Sequence, residues 1–212
     1  MIAILDYGAG NLRSVTNALR VLAVGHELVR DGESLQRASK IILPGVGHFG
    51  QMMRSLDAMQ VRDALRSRIR AGVPFLGICL GLQALFESSE EAPDVSGLGL
   101  FSGSISRFAV DARVPHMGWD EIEARGETES GASGSGSRSV RSELIEALPA
   151  RPYVYFAHSY FAPVVPATAA VCTYGGVAFT AALECENVFA VQFHPEKSGA
   201  IGGKLLQKFA GI

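Results

Sequence analysis

Apolar and polar residues alternate along the chain in blocks whose lengths give the fold class. A short apolar run, Ile2-Ala3-Ile4-Leu5, opens the chain, and further runs recur at residues 27–29, 40–43 and 73–76, each followed by glycine or a polar turn. Runs without a polar alternate suit strands covered on both faces, as in a parallel sheet. Between them the spacing is helical. Val15, Ala18, Leu19 and Leu22 predict one helix, with Asn11 or Ser14 as its cap, and Val61, Ala64, Leu65, Arg68 and Ile69 predict another that Gly72 stops. A last helix carries Ile201, Leu205, Leu206 and Phe209 on one face. Strand and helix in alternation predict an α/β fold, an open, mostly parallel sheet with helices on both faces.

The pattern shortens after Glu90. Residues 103–108 and 119–123 predict short strands that add to the sheet in antiparallel fashion, and residues 154–161 a buried strand running into a polar turn. Residues 178–183 and 188–193 read as a strand pair turning at 185–187. The stretch at about 125–141 is rich in glycine and serine; it lacks the apolar area to offset its ordering entropy and is expected to be a surface loop without chemistry.

Composition narrows the function classes. With 212 residues, 48% of them hydrophobic, residues 1–212 are expected to form one domain. A net charge of -2 with scattered basic residues argues against nucleic acid or an anionic membrane as the main partner. The first apolar run is too short for a signal peptide, and none approaches the roughly 20 residues of a spanning helix, so a cytoplasmic protein is expected. Three cysteines at spacings that fit neither a disulfide framework nor a metal site suit a reducing compartment, and no metal or cofactor is expected. Gly8-Ala9-Gly10 lacks the third glycine of a dinucleotide fingerprint. Cys172 and Cys185 read as small buried hydrophobes.

Cys79 stands apart. It lies between two glycines in Gly77-Ile78-Cys79-Leu80-Gly81-Leu82-Gln83, after the apolar run 73–76 and before a helix-like run, 80–87. That is the pattern of a nucleophile elbow, where a sharp strand-to-helix turn lifts the side chain above the sheet. In open parallel sheets ligands sit at the C-terminal strand ends, so Cys79 and the glycine loop at 44–49 are expected on one rim. A thiol nucleophile needs a base, and His194, at a strand end, with Glu196 two residues on to orient its ring, completes a candidate triad. The Leu80 backbone N–H is one expected oxyanion donor and the loop Gly45-Val46-Gly47, through Val46 and Gly47, supplies the second.

These residues resemble a known family. The Cys79 motif with Phe193-His194-Pro195-Glu196 is similar to the two signatures of the class I (triad) glutamine amidotransferases, and Pro44-Gly45-Val46-Gly47 resembles their oxyanion loop. Within that family, Asp6-Tyr7-Gly8-Ala9-Gly10-Asn11-Leu12, Val114-Pro115-His116-Met117-Gly118-Trp119, residues 155–160 and residues 194–198 resemble the glutaminase subunits of imidazole glycerol phosphate synthases. The similarity runs from the first strand to the last helix and implies their flavodoxin-like fold. Two departures stand out: the glycine- and serine-rich stretch is long, and Asp120 stands where asparagine is usual.

The resemblance implies hydrolysis of L-glutamine to glutamate and ammonia through a γ-glutamyl thioester on Cys79, in histidine biosynthesis. It also implies that Gln83, the loop Gly45 to Gly47 and the turn His158-Ser159-Tyr160 hold the substrate. Ammonia in neutral water is mostly ammonium, which cannot attack, so the product must reach a second active site by a dry route. The resemblance supplies that site as a cyclase subunit in a heterodimer, with Tyr7, Asn11, Arg13, Trp119 and Lys197 as expected contacts. Two other readings are a γ-glutamyl hydrolase or other biosynthetic glutaminase of the same fold, and a silent module that only activates a synthase.

Overall fold

Every residue of the first strand is buried, and the reason is visible in what its alternate side chains meet. Ala3 and Leu5 enter one core with Leu35, Met53, Leu56 and Leu65, while Ile2 and Ile4 enter a second with Val15, Leu19, Leu206 and Phe209. Two cores flank one sheet, so its central strands read as unbroken apolar runs, each buried leucine or isoleucine contributing roughly 1.5–3 kcal/mol.

The computed structural model describes residues 1–109, 112–125, 142–146 and 148–212; the expected loop at about 125–141, apart from Arg125, lies outside the described residues. In chain order the elements are β1 (Ile2–Leu5), α1 (Leu12–Val21), β2 (His26–Val29), α2 (Gly32–Arg37), β3 (Lys40–Gly45), α3 (Phe49–Ala58), α4 (Arg62–Arg70), β4 (Phe75–Cys79), α5 (Leu80–Gln83), β5 (Phe86–Ser89) and β6 (Phe101–Arg107). There follow β7 (His116–Glu121), β8 (Glu123–Ala124), β9 (Tyr153–His158), β10 (Tyr160–Phe161), β11 (Thr168–Tyr174), β12 (Val177–Cys185), β13 (Val188–Val191) and α6 (Gly199–Gly211). An eight-stranded sheet has the order β2-β1-β3-β4-β13-β12-β11-β8. From β2 to β13 the strands are parallel, and the β12, β11 and β8 edge is antiparallel. Among the described residues no helix is long and apolar enough to cross a membrane.

Three expectations need correction. The helix-like run at 80–87 holds only the single turn of α5; Phe86 then begins β5, which finds a parallel partner in β6. The strands expected at 103–108 and 119–123 do not all extend the main sheet: β6 joins β5 and β10 in a separate three-stranded sheet, β7 pairs with β9, and of these stretches only β8 reaches the large sheet. Cys172 is buried as expected, but Cys185, at the end of β12, is exposed. There the chain leaves the sheet for a turn, which keeps the residue exposed among the described residues.

Candidate active site

The register of the sheet builds the rim. Gly45 at the end of β3 pairs with Cys79 at the end of β4, and Val191 at the end of β13 pairs with Ile78. Three strand ends therefore converge where the loop at 44–49, the elbow and the His194 segment begin.

The elbow is held tight by its glycines. A Cβ on Gly77 would lie 2.7 Å from the Gly81 carbonyl oxygen, and one on Gly81 would collide with the Leu43 carbonyl. With strand and helix this close, the chain reverses within one residue, and Cys79 adopts φ 54° and ψ -106°. Such a backbone costs a residue with a β-carbon on the order of 1–3 kcal/mol and persists only where its surroundings enforce it.

His194 follows β13, fixed by its N–H donating to Tyr155 O (2.8 Å) and its carbonyl accepting from Ser198 Oγ (2.7 Å). The 3-10 turn at Pro195–Lys197 brings Glu196 back, and its Oε1 lies 2.9 Å from His194 Nδ1. Nδ1 is thereby committed to a carboxylate, which leaves Nε2, unpaired among the described residues, for the sulfur and reacting atoms. His194 and Cys79 are 1% and 4% exposed. Burial opposes a charged imidazole, but the neighbouring Cys79 thiolate, and after it Glu196, outweigh burial and push the His194 pKa up to about 10. A charged imidazole set against a cysteine sulfur suits nucleophilic catalysis, in which the thiolate is the reacting form.

Asn11 does not cap α1 with its side chain. Its Nδ2 instead donates to Glu196 Oε1 at 3.1 Å, so one carboxylate oxygen receives both His194 and Asn11.

A cavity of about 250 Å³ opens over the thiol, lined by Cys79, Leu80, Val46, Gly47, Gln83, Glu91, His158, Ser159 and Tyr160 among others. The thiol is thus low in the fold but not sealed from ligand. Gln83, nearly fully buried, donates through Nε2 to Tyr160 O (2.8 Å) and to Gln192 Oε1 (3.1 Å), which leaves its own oxygen for a ligand. Gln192 Nε2 in turn lies 3.5 Å from Cys79 Sγ. His158 donates from Nδ1 to Tyr160 O (2.8 Å), and its Nε2 faces His116 Nδ1 (3.2 Å). Burial drives the His158 pKa down to about 3, so this ring is neutral. Asp120 is more than a surface departure: its Oδ2 is 3.2 Å from His116 Nε2.

Of the expected partner contacts, Arg13 and Lys197 are exposed, Trp119 is 55% exposed and Asn11 is half-buried. Tyr7 is not a surface residue: it is 5% exposed, with its hydroxyl beneath the rim beside the Val46 backbone and near Cys79. Its ring is apolar and β1 ends in the core, so burial wins. Sequence reasoning missed Glu91, whose Oε2 accepts from the Phe49 N–H at 2.6 Å, and Gln192. A polar residue within the apolar run 188–193 was the available signal for Gln192; Glu91 gave none.

A family model described as glutamine amidotransferase class-I matches residues 3–210. A Deinococcus radiodurans protein named imidazole glycerol phosphate synthase subunit HisH is 42% identical over 211 residues, covering 98% of this chain and 92% of that protein. The protein of the same name from Methanothermobacter thermautotrophicus is 42% identical over 212 residues, covering 100% and 98%. Among solved structures, one described as a glutamine amidotransferase matches with TM-score 0.73 at 20% identity, covering 100% of this chain and 99% of its own. PurLQS from Thermotoga maritima matches with TM-score 0.72 at 18% identity, covering 99% and 97%. Those two structural likenesses speak for the fold alone.

Proposed function

The chain belongs to the class-I glutamine amidotransferases, and from that premise we propose that residues 1–212 act as one glutaminase domain, the glutamine-hydrolysing subunit of an imidazole glycerol phosphate synthase. The observation that carries the reading is Cys79 in a strained elbow beside the buried His194–Glu196 pair.

In this reading the Cys79 thiolate attacks the γ-carboxamide carbon of L-glutamine. The carbonyl oxygen becomes an oxyanion that receives the Leu80 N–H and an N–H from the Gly45, Val46 and Gly47 loop. One such donor lowers the barrier by on the order of 3 kcal/mol. His194 Nε2–H protonates the departing nitrogen, the C–N bond breaks, and ammonia leaves a γ-glutamyl thioester. The now neutral His194 takes a proton from water, the hydroxide attacks the thioester, and glutamate departs as the thiolate re-forms. Glu196 keeps the ring in the productive tautomer throughout.

The other cavity residues divide the substrate between them. Gln83 offers its free side-chain oxygen, and backbone groups at His158, Ser159 and Tyr160 receive the α-carboxylate. Glu91, the only carboxylate among the described lining residues, suits the α-ammonium. A neutral His158 leaves that ammonium unopposed.

The partner is a cyclase subunit that consumes the ammonia. Met117 (64% exposed) and Trp119 are exposed apolar residues on β7, with Trp119 against the Tyr155 ring that Lys197 overlies. Lys197 Nζ sits 5.5 Å from the centre of that ring. Exposed aromatic and cationic residues beside an active site are common interface anchors. Cys79→Ala tests the whole reading: glutamine-dependent synthesis by the complex falls at least about a thousandfold while synthesis from added ammonium salt persists. Unchanged glutamine use would reject it.

A further inference from the structure

One buried polar side chain that the scheme above leaves idle touches the reactive sulfur. Gln192 is wholly buried, with Nε2 3.5 Å from Cys79 Sγ and Oε1 3.1 Å from Gln83 Nε2. Which end of its amide faces the sulfur is decided two residues away. The Tyr160 carbonyl can only accept, and it already takes the His158 Nδ1–H at 2.8 Å. Gln83 must therefore turn its nitrogen to that carbonyl, at 2.8 Å, and the second hydrogen of the same NH2 group serves Gln192. A donor at that point demands the Gln192 oxygen, so the Gln192 nitrogen is left facing the thiol. Flipping the Gln192 amide would set NH2 against NH2 on one side and oxygen against sulfur on the other, losing two hydrogen bonds inside the protein.

We propose that Gln192 is a further catalytic residue: its side-chain N–H stabilises and aims the Cys79 thiolate, and Gln83 with the Tyr160 carbonyl fixes the direction of that donor. A hydrogen bond to sulfur strengthens when the sulfur becomes an anion, so the donor favours the thiolate over the thiol. An amide does this without titrating, unlike His194, whose proton must leave during turnover. The proposal deepens the glutaminase reading of this site, yet concerns the sulfur itself and not the identity of the substrate.

The test uses the full chain and two variants. Gln192→Glu keeps the shape and the acceptor for Gln83 but puts an acceptor against the sulfur; Gln192→Met removes the donor without adding charge. His194, Glu196 and Tyr7, the other titratable groups about the thiol, stay in place. Iodoacetamide labelling of the Cys79 peptide, read by mass spectrometry so that exposed Cys185 does not interfere, is followed against pH. The half-maximal pH rises by about one unit in Gln192→Met and further in Gln192→Glu. In the complex, kcat for glutamine falls about tenfold and KM moves less than about twofold, as for one lost hydrogen bond to a charged group. An unchanged half-maximal pH in either variant with native near-UV circular dichroism overturns the proposal. Labelling needs no glutamine, so a shifted midpoint in a chain without glutaminase activity would sink the functional reading and leave this one standing.

Discussion

Two histidines share the site and are buried to nearly the same extent, yet one is charged and the other neutral. His194 is 1% exposed and His158 5%, yet the first has its pKa raised to about 10 and the second lowered to about 3. Desolvation acts on both in the same direction, against the imidazolium. The difference lies in what the ring nitrogens meet: His194 has a carboxylate on Nδ1 and a thiolate nearby, whereas His158 has a carbonyl on Nδ1 and a second imidazole on Nε2. Partner chemistry, not depth, decides which ring keeps a proton to donate and which serves as a neutral wall.

Removing the partners of His194 should therefore bring it toward His158. Glu196→Gln gives the largest effect of the three changes considered next: kcat for glutamine falls on the order of a hundredfold, less than the ~10⁴ of a serine triad that loses its carboxylate, because here the thiolate itself contributes more to charging the ring. Steady-state kinetics of the complex measures it, and a loss below threefold would mean that Glu196 does not orient the base. Asn11→Ala withdraws one of the two donors on Glu196 Oε1, and kcat drops between about threefold and about tenfold with KM little changed. Equal activity would show the Asn11 contact to be incidental.

The smallest effect concerns His158 and is one of stability. Its folded pKa is depressed, so between about pH 6.5 and about pH 3 the unfolded chain binds a proton that the folded chain does not. Stability contributed by the neutral ring is present above that window and is lost as pH falls through it, by up to about 1.4 kcal/mol per pH unit. Urea unfolding of wild type and His158→Gln at several pH values below neutrality checks the sign: the variant should have the shallower dependence. A steeper one would mean that the ring is charged in the fold.

Much of the sheet was legible because burial on two faces leaves unbroken apolar runs at β1, β3 and β4, and because glycine flanks on Cys79 leave little choice but a tight turn. The triad was legible for a related reason: His194 and Glu196 are two residues apart, so one 3-10 turn joins them. What failed was set by distant partners. The run at 80–87 fits a helix or a strand, and only the pairing of β5 with β6 decides its second half. Asn11 looked like a cap, yet its side chain answers to a carboxylate 185 positions later. Gln192 and Glu91 acquire meaning only from the thiol and the cavity they face, and Tyr7 only from the core that closes over it.

The ionisation of His194 tests the central claim most directly. ¹⁵N NMR of the histidine rings at about pH 8, between the ordinary histidine range and the raised value, should find both nitrogens of His194 protonated in wild type, one in Cys79→Ala, and one on His158 in either protein. A singly protonated His194 in the wild-type chain at that pH would contradict the thiolate–imidazolium pair from which the chemistry starts.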